Sequence, residues 1–199
     1  MKKAVTLLTL MAGVGLALGQ SVVSFNNNGV SVGGDHKVYF DFVGNGAGVI
    51  GTNFVAELYY VDPATSSLTP FAASISRFKS STTVSPGTWS GKNVTLPIGG
   101  LNVPITLEVR VWDQGGNGAG GAGFATYEQA LAARLGGVST YTGDSGAFAF
   151  TQIVSNPPAT SDNQLVNLPA FAIINTPEPS AIALAVMGVA GLLLIRRRK

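Results

Sequence analysis

Apolar and polar residues alternate with a period of two through three stretches of the chain. Val38, Phe40 and Phe42 alternate with Tyr39 and Asp41, and Phe54, Ala56, Leu58 and Tyr60 with Val55, Glu57 and Tyr59. The clearest run sets Ile105, Leu107, Val109 and Val111 opposite Thr106, Glu108, Arg110 and Trp112. Such alternation puts one face on a core and turns the other outward, as antiparallel sheets do. Residues 22–25, 74–78, 93–98, 147–153 and 170–174 read as further strands. Turn signals such as Asn28-Gly29, Asp62-Pro63, Ser85-Pro86-Gly87 and Gly99-Gly100 separate them. One helix is expected over residues 126–135, with Thr126 as its cap, Glu128 in its first turn and Leu131 and Leu135 as its apolar positions. Gly136-Gly137 stops it. Seven or eight strands with one short helix predict a mainly β domain, an antiparallel β-sandwich of which a jelly roll is one form.

Two segments break this pattern with continuous apolar runs, one at each end. Lys2 and Lys3 precede the apolar residues 4–18, and the small residues Ala17 and Gly19 suit signal peptidase, with cleavage after Gly19. At the other end, Pro177-Glu178-Pro179-Ser180 leads into fifteen uncharged, mostly apolar residues that open at Ala181 and close at Ile195. Arg196, Arg197, Arg198 and Lys199 follow. The prolines break the preceding structure and allow a helix just beyond them. Fifteen helical residues span about 22 Å against a hydrocarbon core of roughly 30 Å. Snorkelling arginines extend that to a marginal transmembrane helix whose basic end stays cytoplasmic. The chain thus divides into a signal helix at 1–19, an exported body at 20–172 and an anchoring segment at 173–199.

The Pro-Glu-Pro segment, the short apolar helix and the terminal arginine run resemble the PEP-CTERM sorting signal. That signal accompanies exosortase, a transpeptidase-like membrane protease of exopolysaccharide-producing bacteria with an outer membrane. The resemblance covers residues 176–199. It implies that Glu178 and its neighbours Pro177, Pro179 and Ser180 mark a sorting site where the tail is removed or exchanged. It further implies a body that is membrane-anchored before sorting and then resides at the cell surface or in the extracellular matrix. Exosortase and signal peptidase are the processing partners so implied, and exopolysaccharide is a candidate ligand.

Charge supports that division. The formal net charge of +2 and the pI of about 9.0 come from the ends. Between residues 20 and 176 lie six basic and nine acidic residues, a net charge of −3, with no basic stripe to bind nucleic acid. The absence of cysteine excludes disulfide scaffolds, zinc fingers, iron–sulfur ligation and thiol catalysis.

Candidate chemistry in the body is sparse. The run from Gly46 to Gly51 and that from Gly116 to Gly121 match dinucleotide-fingerprint spacing, but the first runs into another strand and the second lies in a glycine-rich stretch that reads as a flexible loop. Gly143-Asp144-Ser145-Gly146 resembles the nucleophile segment of chymotrypsin-like proteases, with His36 and then Asp41 or Asp62 ahead of it in chain order. The flanking residues depart from that pattern, so Asp144-Ser145-Gly146 reads as a turn. His36, the only histidine, reads as a surface residue without a second metal ligand. Asp35, Asp41, Asp113 and Asp144 leave calcium open without a binding motif, and no other cofactor is expected. Glu57 and Glu108 are strand carboxylates of the kind glycoside hydrolysis uses in pairs. Trp89 and Trp112, the latter on an outward face, are candidates for stacking on sugar rings, with packing in the core or at an edge as the other reading of both. The leading expectation is a non-enzymatic surface or matrix protein of structural or interaction type. A carbohydrate-binding module is the alternative, and a secreted hydrolase the third reading.

Overall fold

The computed structural model describes residues 20–28, 34–80, 85–115, 123–153 and 160–175. Among them are nine strands and one α-helix. The strands are β1 (Ser21–Phe25), β2 (Val38–Phe40), β3 (Phe54–Val61), β4 (Leu68–Arg77), β5 (Lys92–Leu96), β6 (Pro104–Asp113), β7 (Thr142–Asp144), β8 (Phe148–Thr151) and β9 (Phe171–Ile173). The helix α1 (Tyr127–Leu135) lies between β6 and β7. The signal peptide expected at 1–19, with Ala17 and Gly19, lies outside the described residues. So do Pro177, Glu178, Pro179 and Ser180, the span from Ala181 to Ile195, and Arg196, Arg197 and Arg198. No helix among the described residues is long and apolar enough to cross a membrane.

The longest strands build an antiparallel sheet of five, in which β6 is central. β3 flanks it from Phe54↔Asp113 to Tyr60↔Leu107, and β4 extends the sheet beyond β3. On its other edge β7 and β8 pair with β6 in tandem, Trp112↔Thr142 near one end and Pro104↔Thr151 at the other. The β3–β4 register shifts between Ala56 and Leu58, where the Ser74 hydroxyl accepts the Leu58 N–H at 2.7 Å. Two ribbons complete the β structure, antiparallel β1–β5 and parallel β2–β9. Among the described residues, the β-rich content, the antiparallel sheet and the short helix agree with the sequence pattern. The pairings as observed are one sheet of five and two ribbons, one of them parallel.

One face of the sheet contributes Ala56, Leu58, Leu107, Val109 and Val111 to the main core. Val23 and Phe25, Val94 and Leu96, Val38, and Phe171 and Ile173 meet them from the ribbons. Trp89 is wholly buried there, 5.0 Å from Phe25 ring to ring, with its indole N–H on the Phe25 carbonyl. The other face is covered too, since α1 lies on it. Val55 and Trp112 of the sheet pack with Tyr127 and Ala130 of the helix. Trp112 does point away from the main core, as its alternation requires, and its ring is packed and not exposed. It is fully buried and donates its indole N–H to the Phe124 carbonyl at 2.9 Å.

The helix starts where its cap predicts. Thr126 Oγ1 accepts the Gln129 N–H at 3.3 Å, and the Gln129 side chain accepts the Ala125 N–H in return. Its buried face is Tyr127, Ala130 and Arg134, at spacings of three and four, and not the expected Leu131 and Leu135. Leu131 is half-buried and Leu135 is 55 % exposed. Ala130 is small, which lets the helix approach the sheet closely, and Arg134 reaches under it to the Thr142 and Ile174 carbonyls.

Candidate functional site

A row of charges crosses the sheet beneath α1. Glu57 on β3 is in register with Arg110 on β6, and Arg110 with Asp144 on β7. Because β-strand side chains alternate, all three share the helix-covered face. Arg110 donates from Nε to Glu108 Oε1 at 2.6 Å and from Nη1 to Glu128 Oε1 at 3.0 Å. Its guanidinium carbon lies 4.4 Å from the Tyr59 ring centre and 4.8 Å from that of Tyr127. Both rings are thus within cation–π distance. The Tyr59 hydroxyl donates to Glu128 at 3.0 Å and the Tyr127 hydroxyl to Asp144 at 3.2 Å.

This placement sets the electrostatics. Burial pushes the Glu57 carboxyl up from 4.5 to about 7, and the neighbouring Glu128 charge adds to the shift. Burial also raises Tyr59, with the Glu57 charge and the bond to Glu128 reinforcing it. Tyr127 is raised by burial and then by the Asp144 charge. Burial opposes the Arg110 charge, yet the hydrogen bond and charge of Glu108 prevail and raise it. A carboxyl that titrates near neutrality has the proton affinity of a general acid or base. Glu57, however, is only 4 % exposed and offers almost no surface to a substrate. What the cluster visibly does is clamp α1 onto β3, β6 and β7. Of its members the sequence pattern singled out Glu57, Glu108 and Asp144 as strand or turn acids. It missed Arg110 as their partner, although the Glu108-x-Arg110 spacing places both on one face.

The other candidates are not brought together. His36 is buried, not at the surface, and its Nδ1 donates to the Leu168 carbonyl. Ser145 Oγ accepts the Val109 N–H at 2.9 Å and donates to the Gly146 carbonyl at 2.8 Å. These bonds give serine and histidine separate structural tasks. Trp89 and Trp112 lie in different cores, both fully buried, so neither ring presents a face for a sugar. Among the described residues no group of three His, Asp or Glu side chains is disposed to hold a metal. Asp144 Oδ1 instead accepts the Gly146 N–H, and Asp113 Oδ1 the Gly115 N–H. The loop through Gly46 and Gly48 is a tight fold-back. A β-carbon on Gly46 would stand 2.1 Å from the Phe40 carbonyl oxygen, and one on Gly48 2.6 Å from the Pro86 backbone. Glycine is needed there for packing, and no helix follows to cradle a phosphate.

The C-terminal end of the body is held to its last described residue. β9 runs parallel to β2, and Ile174 exchanges two backbone hydrogen bonds with Thr142. Asn175 Oδ1 accepts the Ser139 hydroxyl at 3.1 Å. Hydrogen bonds thus hold the chain as far as Asn175. The family model for the PEP-CTERM protein-sorting motif matches residues 175–199. The chain ends in that sorting motif. No curated protein and no solved structure matches the chain. The motif marks an exported protein sorted by exosortase, anchored through its C-terminus and destined for the cell surface. Its Pro177 follows the last described residue, Asn175, with Thr176 alone between them.

Proposed function

We propose that the chain is a non-catalytic surface or extracellular-matrix protein whose folded body is the cargo that exosortase delivers. The observation that carries this reading is the sorting motif joined directly to β9. The candidate catalytic groups support it, since His36, Ser145 and the Arg110 cluster are each engaged in holding the fold. On this reading residues 1–19 are a signal peptide, removed by signal peptidase after Gly19, and Pro177–Pro179 direct processing of the tail. The test is fractionation of tagged full-length protein beside a variant lacking Pro177–Pro179. The full-length protein is expected to be shortened and to leave the membrane fraction, and the deletion variant to stay there unprocessed. Identical processing and retention of the two would reject the reading.

A second reading, binding of exopolysaccharide, has one observation in its favour. Tyr60, Asp62, Pro63, Ala64, Pro97 and Ile98 line an open depression of about 460 Å³ at the end of the sheet away from β9. It pairs an aromatic ring with a carboxylate, which the two buried tryptophans do not. Affinity electrophoresis in matrix polysaccharide, with Tyr60→Ala for comparison, decides it. Retardation lost in the variant supports this reading, and an unretarded native protein dismisses it for that glycan.

A further inference from the structure

The end of the body that holds the last described residue, Asn175, carries apolar side chains that the fold leaves uncovered. Phe40 of β2 is in register with Ile173 of β9, and the Asp41 N–H donates to the Ile173 carbonyl. Phe42 and Val43 follow in the turn that closes this pairing, and Phe42 is 71 % exposed. On the other side Ser139 holds Asn175, and Leu135 and Val138, just before it in the chain, are also exposed. From Asn175 to Ala181, where the apolar run of the tail begins, are six residues, which reach about 20 Å at most. A tail seated in a bilayer thus keeps this end of the body at the lipid surface.

We propose that Phe42, Val43, Leu135 and Val138 form a membrane-contacting rim that rests in the lipid interface while the tail is anchored. The proposal builds on the anchored precursor of the preceding section and adds the orientation of the body upon the membrane. Tethering raises the local concentration of the rim at the bilayer, so a patch too small to bind alone becomes engaged. Asp41 is exposed among these residues, so the contact is apolar and not steered by charge, and it persists at high salt. The chain enters at the opposite end. Ser21 bonds there to Ile98 and Gly100, and β6 places Pro104 roughly 30 Å from Asp113. That far end carries its own exposed apolar residues, Leu101, Val103 and Ile153, which makes it a stringent control. With the rim at the membrane, the depression beside Tyr60 faces outward.

The chain has no cysteine, so single cysteines can carry a polarity-sensitive fluorophore. The full chain, labelled at Phe42→Cys, Val138→Cys, Val103→Cys, Thr65→Cys or Leu193→Cys, is reconstituted in phosphatidylethanolamine–phosphatidylglycerol vesicles. The vesicles contain lipid spin-labelled near the headgroup. The labels at positions 42 and 138 are expected to be quenched at least roughly twofold more than those at 103 and 65, with or without high salt. Equal quenching at all four body positions overturns the rim while quenching at 193 leaves the anchor standing. No quenching at 193 overturns both. A shift at 42 that appears without spin-labelled lipid and grows with protein concentration assigns the rim to contacts between copies, and overturns the proposal.

Discussion

The guanidinium of Arg110 lies over the ring of Tyr59, 4.4 Å from its centre, while both side chains hold the same oxygen of Glu128. One helix residue is thus bound twice by two strands. Replacing Arg110 with methionine keeps most of the packing and removes the charge, leaving Glu57, Glu108 and Glu128 without their common cation. Allowing for solvent at this edge, the variant is expected to be about 2 kcal/mol less stable, measured by urea unfolding. Glu128→Gln in the same background should recover part of the loss.

Glu57 gives stability a definite pH dependence. Its folded carboxyl titrates near 7 and its unfolded one near 4.5, so the folded state binds the proton more tightly. Stability from this group is full below the unfolded value and falls as pH rises from about 4.5 through 7. Glu57→Gln removes that slope. After discounting for screening, the variant should gain about 1–2 kcal/mol on the native protein between pH 4.5 and pH 8. Parallel urea curves at the two pH values check this, and an unchanged difference would refute it.

Trp112 tests the packing between the sheet and α1. Trp112→Phe retains a ring between the sheet and α1 but abandons the indole bond to Phe124, at a cost of about 1 kcal/mol or somewhat more. Trp112→Ala should cost about 3–5 kcal/mol, with loss of helical circular dichroism as α1 loosens. Neither variant is expected to alter mobility in polysaccharide gels while folded.

The strands were legible because period-two alternation is local, as in β3 and β6. What alternation cannot say is whether the second face stays wet. The covering helix is some fifteen residues further along the chain, and its weak Tyr127–Ala130–Arg134 stripe does not read as an apolar face. Hence alternation gives Trp112 its side of the sheet and leaves open whether that side is wet or packed. β7 escaped notice because Thr142-Gly143-Asp144 has no apolar residue, being placed by its neighbours on β6. His36 looked exposed because only the folded chain brings the Leu168 carbonyl to it. The sorting motif was the most legible feature of all, since a linear signal carries its meaning in residue order.

Two adjacent residues of β7 should respond in opposite directions. A β-carbon on Gly143 would stand 2.3 Å from the Ala172 carbonyl oxygen, where the sheet edge crosses β9. Gly143→Ala must push those backbones apart, at about 1–3 kcal/mol. Next to it, Thr142 is wholly buried and its hydroxyl has no hydrogen-bond partner among the described residues. Thr142→Val keeps the branched shape that suits a strand and deletes a polar atom that gave up water without compensation. A gain of about 0.5–1 kcal/mol is expected. Because Thr142 also exchanges backbone bonds with Ile174, both variants act on the strand that holds the chain just before the sorting motif. Gly143→Ala should therefore expose residues 171–175 to faster amide exchange, and Thr142→Val should slow it. Equal exchange in the two variants would show that β7 does not govern the docking of β9.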